Sequence, residues 1–113
     1  MRYEREREIP RVEAIVAQEI QAYAAWLRGT EVAPLIAGLR AKADAIRRAE
    51  LAKTLRHLPD LDDADRRRIE HLTVSLVNKL LHDPTLRLKD EASHGSATDY
   101  AVAAIRHLFA LNE

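Results

Sequence analysis

Apolar residues recur at spacings of three and four between Arg66 and Leu88, which is the period of one face of an α-helix. The residues that set this period are Ile69, Leu72, Leu76, Val77 and Leu80. Proline disfavours helical geometry in the residue before it, so the sequence predicts that this helix ends at His82-Asp83-Pro84. The stretch contains no nucleophile beside a base, no ligand cluster and no glycine loop. By itself it indicates a packing element rather than an active site.

Helix signals dominate the rest of the sequence and predict an all-α chain. Breakers are rare, with three glycines and four prolines, and strand-type alternation is nearly absent. A first helix is expected to end at Gly29, and a second to run from a Thr30 N-cap to about Leu58. A helix of about 25 residues is roughly 38 Å long, whereas a compact chain of this size has a radius of gyration of about 13 Å. We therefore expect an elongated bundle that leaves apolar stripes for another chain.

The remaining helix boundaries are predicted from capping residues. Asp62 and Asp65 have the spacing of a capping box at the start of the apolar helix, and Ser96 and Asp99 have the same spacing further on. Between them, a short helix is expected over Thr85–Glu91. The sequence thus predicts an elongated helical bundle of four to five helices.

Composition excludes several classes of function. Lys and Arg together number 18, and so do Asp and Glu, which argues against nucleic-acid binding by bulk phosphate attraction. The absence of cysteine excludes disulfides, thiolate metal sites and cysteine catalysis within this chain. No apolar run approaches the roughly 18 residues of a membrane helix, and the charged first residues lack the apolar core of a signal peptide. We expect a cytoplasmic protein.

Polar residues along the apolar helix are the candidates for chemistry. Lys79 and His82 share a helical face and could form an acid–base pair, but cations also favour a helix C-terminus, which is the simpler explanation. Asn78 is a candidate for a hydrogen bond across an interface. Thr73 and Ser75 have no evident base, so nucleophilic catalysis is unsupported. No metal site is predicted, because no carboxylate completes a ligand set with the histidines His57, His71, His82, His94 and His107.

Two further features allow more than one interpretation. Arg66, Arg67 and Arg68 could contact RNA, but a solvated face paired with the neighbouring aspartates is the expectation we prefer. Tyr23 and Trp26 could anchor an interface or belong to the core.

The stretch Ile69–Pro84 resembles the C-terminal dimerisation domain of the glutamyl-tRNA reductase family. The specific part reads LT-x-SLVNKLLH-x-P and is followed by Leu86 and Leu88-Lys89. Other segments also resemble this family: Val12–Val16 matches the end of its long connecting (spinal) helix, Pro34–Arg40 and Ile46–Leu51 match the helix that follows, and Ile105–Phe109 matches the final helix.

The resemblance implies a function that the residues alone do not. Enzymes of this family use NADPH to reduce the glutamyl group of glutamyl-tRNA to glutamate 1-semialdehyde for tetrapyrrole (porphyrin) biosynthesis. They have a catalytic domain with a cysteine nucleophile, an NADPH domain and a helical dimerisation domain. This chain has neither the cysteine nor a glycine-rich nucleotide loop, so no catalytic, cofactor-binding or metal residue is assigned to it. It is expected to be a non-catalytic fragment of the parent oxidoreductase.

The resemblance also implies the organisation and partners of the chain. Residues 1–28 would be the end of the connecting helix, and residues 29–113 the dimerisation domain. We expect a homodimer, whose parent binds glutamyl-tRNA and could also meet the aminotransferase that consumes the semialdehyde. The residues predicted to form the dimer core and interface are Leu35, Leu39, Ile46, Ile69, Leu72, Leu76, Val77, Leu80, Leu108 and Leu111.

Two other classes of function are kept as alternatives. One is a small helical dimeric enzyme of the chorismate mutase type, which would need cations converging on a pocket. The cations available for that role are Arg11, Arg28, Arg40 and Lys53. The other alternative is a helical module that contacts tRNA.

Overall fold

Three helices make up the fold in the computed structural model, which describes residues 2–95 and 98–111, with side chains from residue 8 onward. They are α1 (Arg2–Arg56), α2 (Asp63–His94) and α3 (Thr98–Leu108). The all-α prediction is confirmed, but the expected four to five helices are wrong, because two of the predicted breaks do not occur. Ser96, the first residue of one predicted capping box, lies outside the described residues.

The first missing break is at Gly29, where α1 continues as a single helix of 55 residues. Glycine ends a helix by adopting a positive φ, and no described glycine has one. Thr30 does not act as an N-cap, because its hydroxyl donates to the Leu27 carbonyl oxygen at 2.6 Å within the helix. Val32 and Leu35 follow directly and are 2% exposed, so their packing holds the helix together through the glycine.

The second missing break is at Pro84, which lies inside α2. A proline in a helix removes one N–H donor and crowds the preceding turn, at a cost of about 3 kcal/mol. Leu81 and Leu88 lie on either side of it and are both buried. Their burial on one face offsets the cost, so the predicted stop is wrong and Thr85–Glu91 is part of α2.

The turn between α1 and α2 follows the sequence prediction. Asp62 has extended backbone angles, and its side chain accepts a hydrogen bond from the Asp65 N–H at 2.7 Å. Arg66 reaches back over the turn, where its Nε donates to the Leu61 carbonyl at 3.2 Å and its Nη2 donates to the Leu58 carbonyl at 3.4 Å. These bonds fix the antiparallel return of α2 along α1.

The core lies where all three helices meet. Its buried members are Val32, Leu35, Leu88, Ala92 and Val102, and the half-buried residues packed against them are Ile36, Ala101, Ile105 and Leu111. Hydrogen bonds from polar side chains stabilise the same region. The Thr98 hydroxyl, 1% exposed, donates to the Glu91 carbonyl at 2.8 Å, and the Arg28 Nε donates to the Ala92 carbonyl at 2.8 Å.

The end of α3 is a left-handed cap. Ala110 has a φ of 52°, and the N–H of Leu111 donates back to the Arg106 carbonyl at 3.0 Å. This is the Schellman arrangement, in which the residue after the left-handed position returns towards the helix. It brings Leu111 onto the core.

The molecule is elongated, as the sequence predicts. Its extents are 87 × 30 × 15 Å and its radius of gyration is 23.0 Å, far above the value of about 13 Å for a compact chain of this size. The length of α1, about 82 Å at 1.5 Å per residue, sets the long dimension. No helix among the described residues is both long enough and apolar enough to cross a membrane.

Candidate dimer interface

The half of the α1–α2 hairpin farthest from the core has no buried side chain. Every described residue between 40 and 80 is exposed or half-buried, whereas the buried residues all lie between 32 and 39 or between 81 and 102. Two antiparallel helices form a single layer, and a stable domain is built from at least two packed layers. This half of the hairpin therefore lacks the second layer that would cover it.

Apolar side chains are exposed along this uncovered half. On α2 the exposed fractions are 57% for Leu72, 60% for Leu76 and 77% for Leu80, and on α1 the value for Ile46 is 57%. In α2 these leucines are spaced by four residues, so they form one stripe on one face. The periodic leucines that predict this helix thus form an exposed apolar surface of the single chain.

Between α1 and α2, beside this stripe, lies a groove of about 380 Å³, which we call the hairpin groove. Phe109, just after α3, contributes to its lining at the end nearest the core. The full lining consists of Leu39, Lys42, Ala43, Ile46, Arg47, Glu50, Thr73, Leu76, Val77, Leu80, Leu81 and Phe109.

The structure divides the predicted interface residues into three groups. Leu35 and Leu39 are buried within the chain, and Leu111 is half-buried against the core. The hairpin groove brings together Leu39, Ile46, Leu76, Val77 and Leu80. Outside its lining are Ile69, which is half-buried, and Leu72 and Leu108, which are exposed.

Several core residues are absent from the sequence-based set. Leu81 and Leu88 are seven residues apart and therefore share a helical face, which is a signal present in the sequence. The predicted stop at Pro84 separated them into different elements. Val32, Ala92 and Val102 had no comparable signal, because their burial depends on where α1 and α3 pack.

Polar side chains around the groove form hydrogen bonds with other groups of the same chain. Asn78, a candidate for a bond across an interface, accepts a hydrogen bond from the Arg40 guanidinium of its own chain through its side-chain oxygen. The Lys42 ammonium donates to the Phe109 carbonyl at 2.6 Å and so ties the end of α3 to α1.

Arg47 is the most enclosed charged side chain of the groove lining: it is 11% exposed, whereas Lys42 and Glu50 are exposed. Its Nη1 lies 3.5 Å from the Thr73 hydroxyl oxygen, and its Nε lies 3.6 Å from the Asp44 carboxylate. That Nε is buried and has no hydrogen-bond partner. The guanidinium of Arg47 thus has N–H groups for which the chain itself provides poor hydrogen-bond acceptors.

The structure offers no support for chemistry at the polar positions of α2. Lys79 and His82 are exposed and lie outside the hairpin groove lining. The simpler explanation for them, a helix C-terminus, is wrong because α2 continues to His94. Across the described residues, no group of three or more His, Cys, Asp or Glu side chains is arranged to hold a metal ion.

The basic residues do not converge on a pocket in one chain. Arg11, Arg28, Arg40 and Lys53 lie along one continuous helix, with about 63 Å between the first and the last at 1.5 Å per residue. In the triple-arginine stretch, the Arg68 Nη1 pairs with the Asp65 carboxylate at 2.9 Å, as expected for local pairing.

Tyr23 and Trp26 are surface residues of this chain. Their rings are stacked with centroids 5.9 Å apart, and they are 61% and 62% exposed. The alternative that places them in the core is therefore wrong for the single chain.

Comparison with known proteins gives the family context of this surface. Residues 11–111 match the family model described as glutamyl-tRNA(Glu) reductase, dimerisation domain. The chain is 47% identical over 108 residues to a glutamyl-tRNA reductase of Geotalea uraniireducens, covering 96% of this chain and 25% of that protein. It is 44% identical over 110 residues to the glutamyl-tRNA reductase of Syntrophobacter fumaroxidans, covering 97% of this chain and 24% of that protein.

A third relative gives the same coverage. The glutamyl-tRNA reductase of Geobacter sulfurreducens is 44% identical over 108 residues, covering 96% of this chain and 25% of its own length. The chain thus spans about a quarter of the length of the curated relatives that it matches. No solved structure matches it.

Proposed function

The chain belongs to the glutamyl-tRNA reductase dimerisation-domain family, and on that premise we propose that it pairs two subunits through the hairpin groove and its apolar stripe. The observation that carries this proposal is the uncovered half of the hairpin. Leu76 and Leu80 line the groove and are 60% and 77% exposed in the single chain. A second copy would bury them and supply the missing layer.

Two such hairpins placed face to face form a four-helix arrangement. Helical bundles bury apolar side chains of facing helices in this way, and homodimers most often have a twofold axis, so that the same surface is used on both copies. The groove and stripe lie on the half of α1 and α2 that α3 leaves uncovered. The core near Leu35 and Leu88 would keep each protomer folded while this half pairs.

The activity that we propose for the parent protein is that of the named relatives. It would be an NADPH-dependent oxidoreductase that reduces glutamyl-tRNA to glutamate 1-semialdehyde in tetrapyrrole biosynthesis, in the cytoplasm. Its catalytic and NADPH-binding parts would lie outside these 113 residues. Within the chain, residues 1–28 would serve as the end of the connecting helix and residues 29–113 as the dimerisation domain. The aminotransferase that uses the semialdehyde is a proposed partner of the parent.

The oligomeric state of the chain tests the pairing function. Sedimentation velocity over a range of concentrations is expected to show a dimer. Leu80→Asp places a carboxylate in the groove of both copies and should weaken dimerisation about thirtyfold or more, as for a residue whose loss costs about 2 kcal/mol.

Leu86→Asp is the matched control. Leu86 is also an exposed leucine of α2, at 52%, but it does not line the hairpin groove. This variant should dimerise like the wild-type chain. A wild-type chain that stays monomeric at high micromolar concentration would refute the proposal, and equal effects of the two variants would refute the assignment of the surface.

A further inference from the structure

Arg47 is placed so that covering the hairpin groove would leave its guanidinium short of acceptors. The side chain is 11% exposed, the buried Nε has no hydrogen bond, and the Asp44 carboxylate is 3.6 Å away. A second layer of helices would remove the solvent contact that this side chain retains. Asp44 lies within ion-pair distance of the guanidinium, but the chain leaves the Nε without a hydrogen bond. Because a buried charge is strongly disfavoured unless it is well paired, covering the groove would favour a further acceptor on the covering surface.

Twofold symmetry restricts where that acceptor can come from. In a symmetric dimer the surface that covers the groove is the groove surface of the second copy. Its charged lining residues are Lys42, Arg47 and Glu50, so Glu50 is its only carboxylate. Lys42 already donates to the Phe109 carbonyl. Within one chain, Arg47 approaches Asp44, its neighbour in the preceding turn of α1.

We propose, on the basis of the dimer proposed above, that Arg47 of each copy forms an ion pair with Glu50 of the other. The two residues are three positions apart, or about 4.5 Å along the helix axis. Both pairs form at once when the two α1 helices run antiparallel beside each other at residues 47–50, with the twofold axis between them. The pairs therefore fix the register of the dimer, which an apolar stripe alone does not specify.

Charge reversal tests this pairing. Arg47→Glu and Glu50→Arg each place like charges against each other twice in a homodimer, and each should raise the dimer dissociation constant about a hundredfold. The double variant Arg47→Glu/Glu50→Arg restores both pairs in reversed orientation and should return to within about tenfold of wild type. Far-UV circular dichroism checks that each variant keeps its helix content.

Mixing the two single variants separates contacts between chains from effects within one chain. A heterodimer of the Arg47→Glu chain with the Glu50→Arg chain has an opposite-charge pair at both positions, so native mass spectrometry should show a heterodimer far above the statistical share. The matched control is a mixture of Arg48→Glu with Glu13→Arg. It carries the same net charges on exposed residues outside the groove and should show at most a weak preference.

The outcomes distinguish this inference from the function on which it rests. A monomeric wild-type chain would overturn the dimer and the ion pair together. A wild-type dimer whose reversed variants remain as tight, or show no rescue and no preference beyond the control mixture, would overturn the ion pair alone.

Discussion

Replacing Ala110 by glycine should stabilise the protein, although glycine usually destabilises a helix. Ala110 has a φ of 52° at the end of α3. The left-handed conformation costs an L-residue roughly 1–2 kcal/mol because Cβ crowds the following carbonyl. Glycine avoids that cost but loses about 0.5–1 kcal/mol more through the greater freedom of its unfolded chain. The difference predicts a net gain of about 0.5–1 kcal/mol for Ala110→Gly.

Thermal and urea unfolding followed by far-UV circular dichroism would measure this gain. For a chain of this size, the expected rise in Tm is about 2–5 °C. All variants should be compared at one chain concentration, because dimerisation makes Tm depend on concentration.

Ala103→Gly provides a control of opposite sign. Ala103 is exposed within α3, where glycine should cost about 0.5–1 kcal/mol. If Ala110→Gly lowers stability as Ala103→Gly does, the left-handed cap and the reasoning from it are refuted.

Two further substitutions test the core and the turn. Leu35→Ala, at a residue that is 2% exposed, should cost about 2–5 kcal/mol of unfolding free energy in urea denaturation; a loss below 1 kcal/mol would contradict its place in the core. Asp62→Ala removes the acceptor for the Asp65 N–H and should cost about 0.5–2 kcal/mol, whereas Asp62→Asn should retain most of the stability; equal losses in the two variants would argue against a capping role.

Local sequence signals predicted one helix boundary correctly and two incorrectly. The Asp62 cap depends on a side chain and an N–H three residues apart, so its signal is local. Gly29 and Pro84 are also local signals, and both predictions were wrong. At Gly29 the buried Val32 and Leu35 follow the glycine, and at Pro84 the buried Leu81 and Leu88 lie on either side. In each case this burial outweighs the local penalty, and it depends on residues far along the chain.

The candidate interface was predictable only in part for the same reason. Spacing placed Leu72, Leu76 and Leu80 on one face, but it could not show that α1 packs on a different face of α2 and leaves this one exposed. The place of Arg47 beside the groove depends on the pairing of α1 with α2. Neither helix taken alone contains that information.

The unbroken course of α1 through Gly29 gives the molecule a stiff lever arm. Residues 2–31 precede the first buried residue of the core and extend about 45 Å as helix. Every described side chain from Glu8 to Tyr23 is exposed, whereas the last turns before the core are braced: Ala24 and Ala25 are half-buried and the Arg28 Nε donates to the Ala92 carbonyl. A tilt of about 5° where this bracing ends would move the far end by about 3 Å over the roughly 33 Å of exposed helix. The position of that end is therefore set by how α1 packs where the three helices meet.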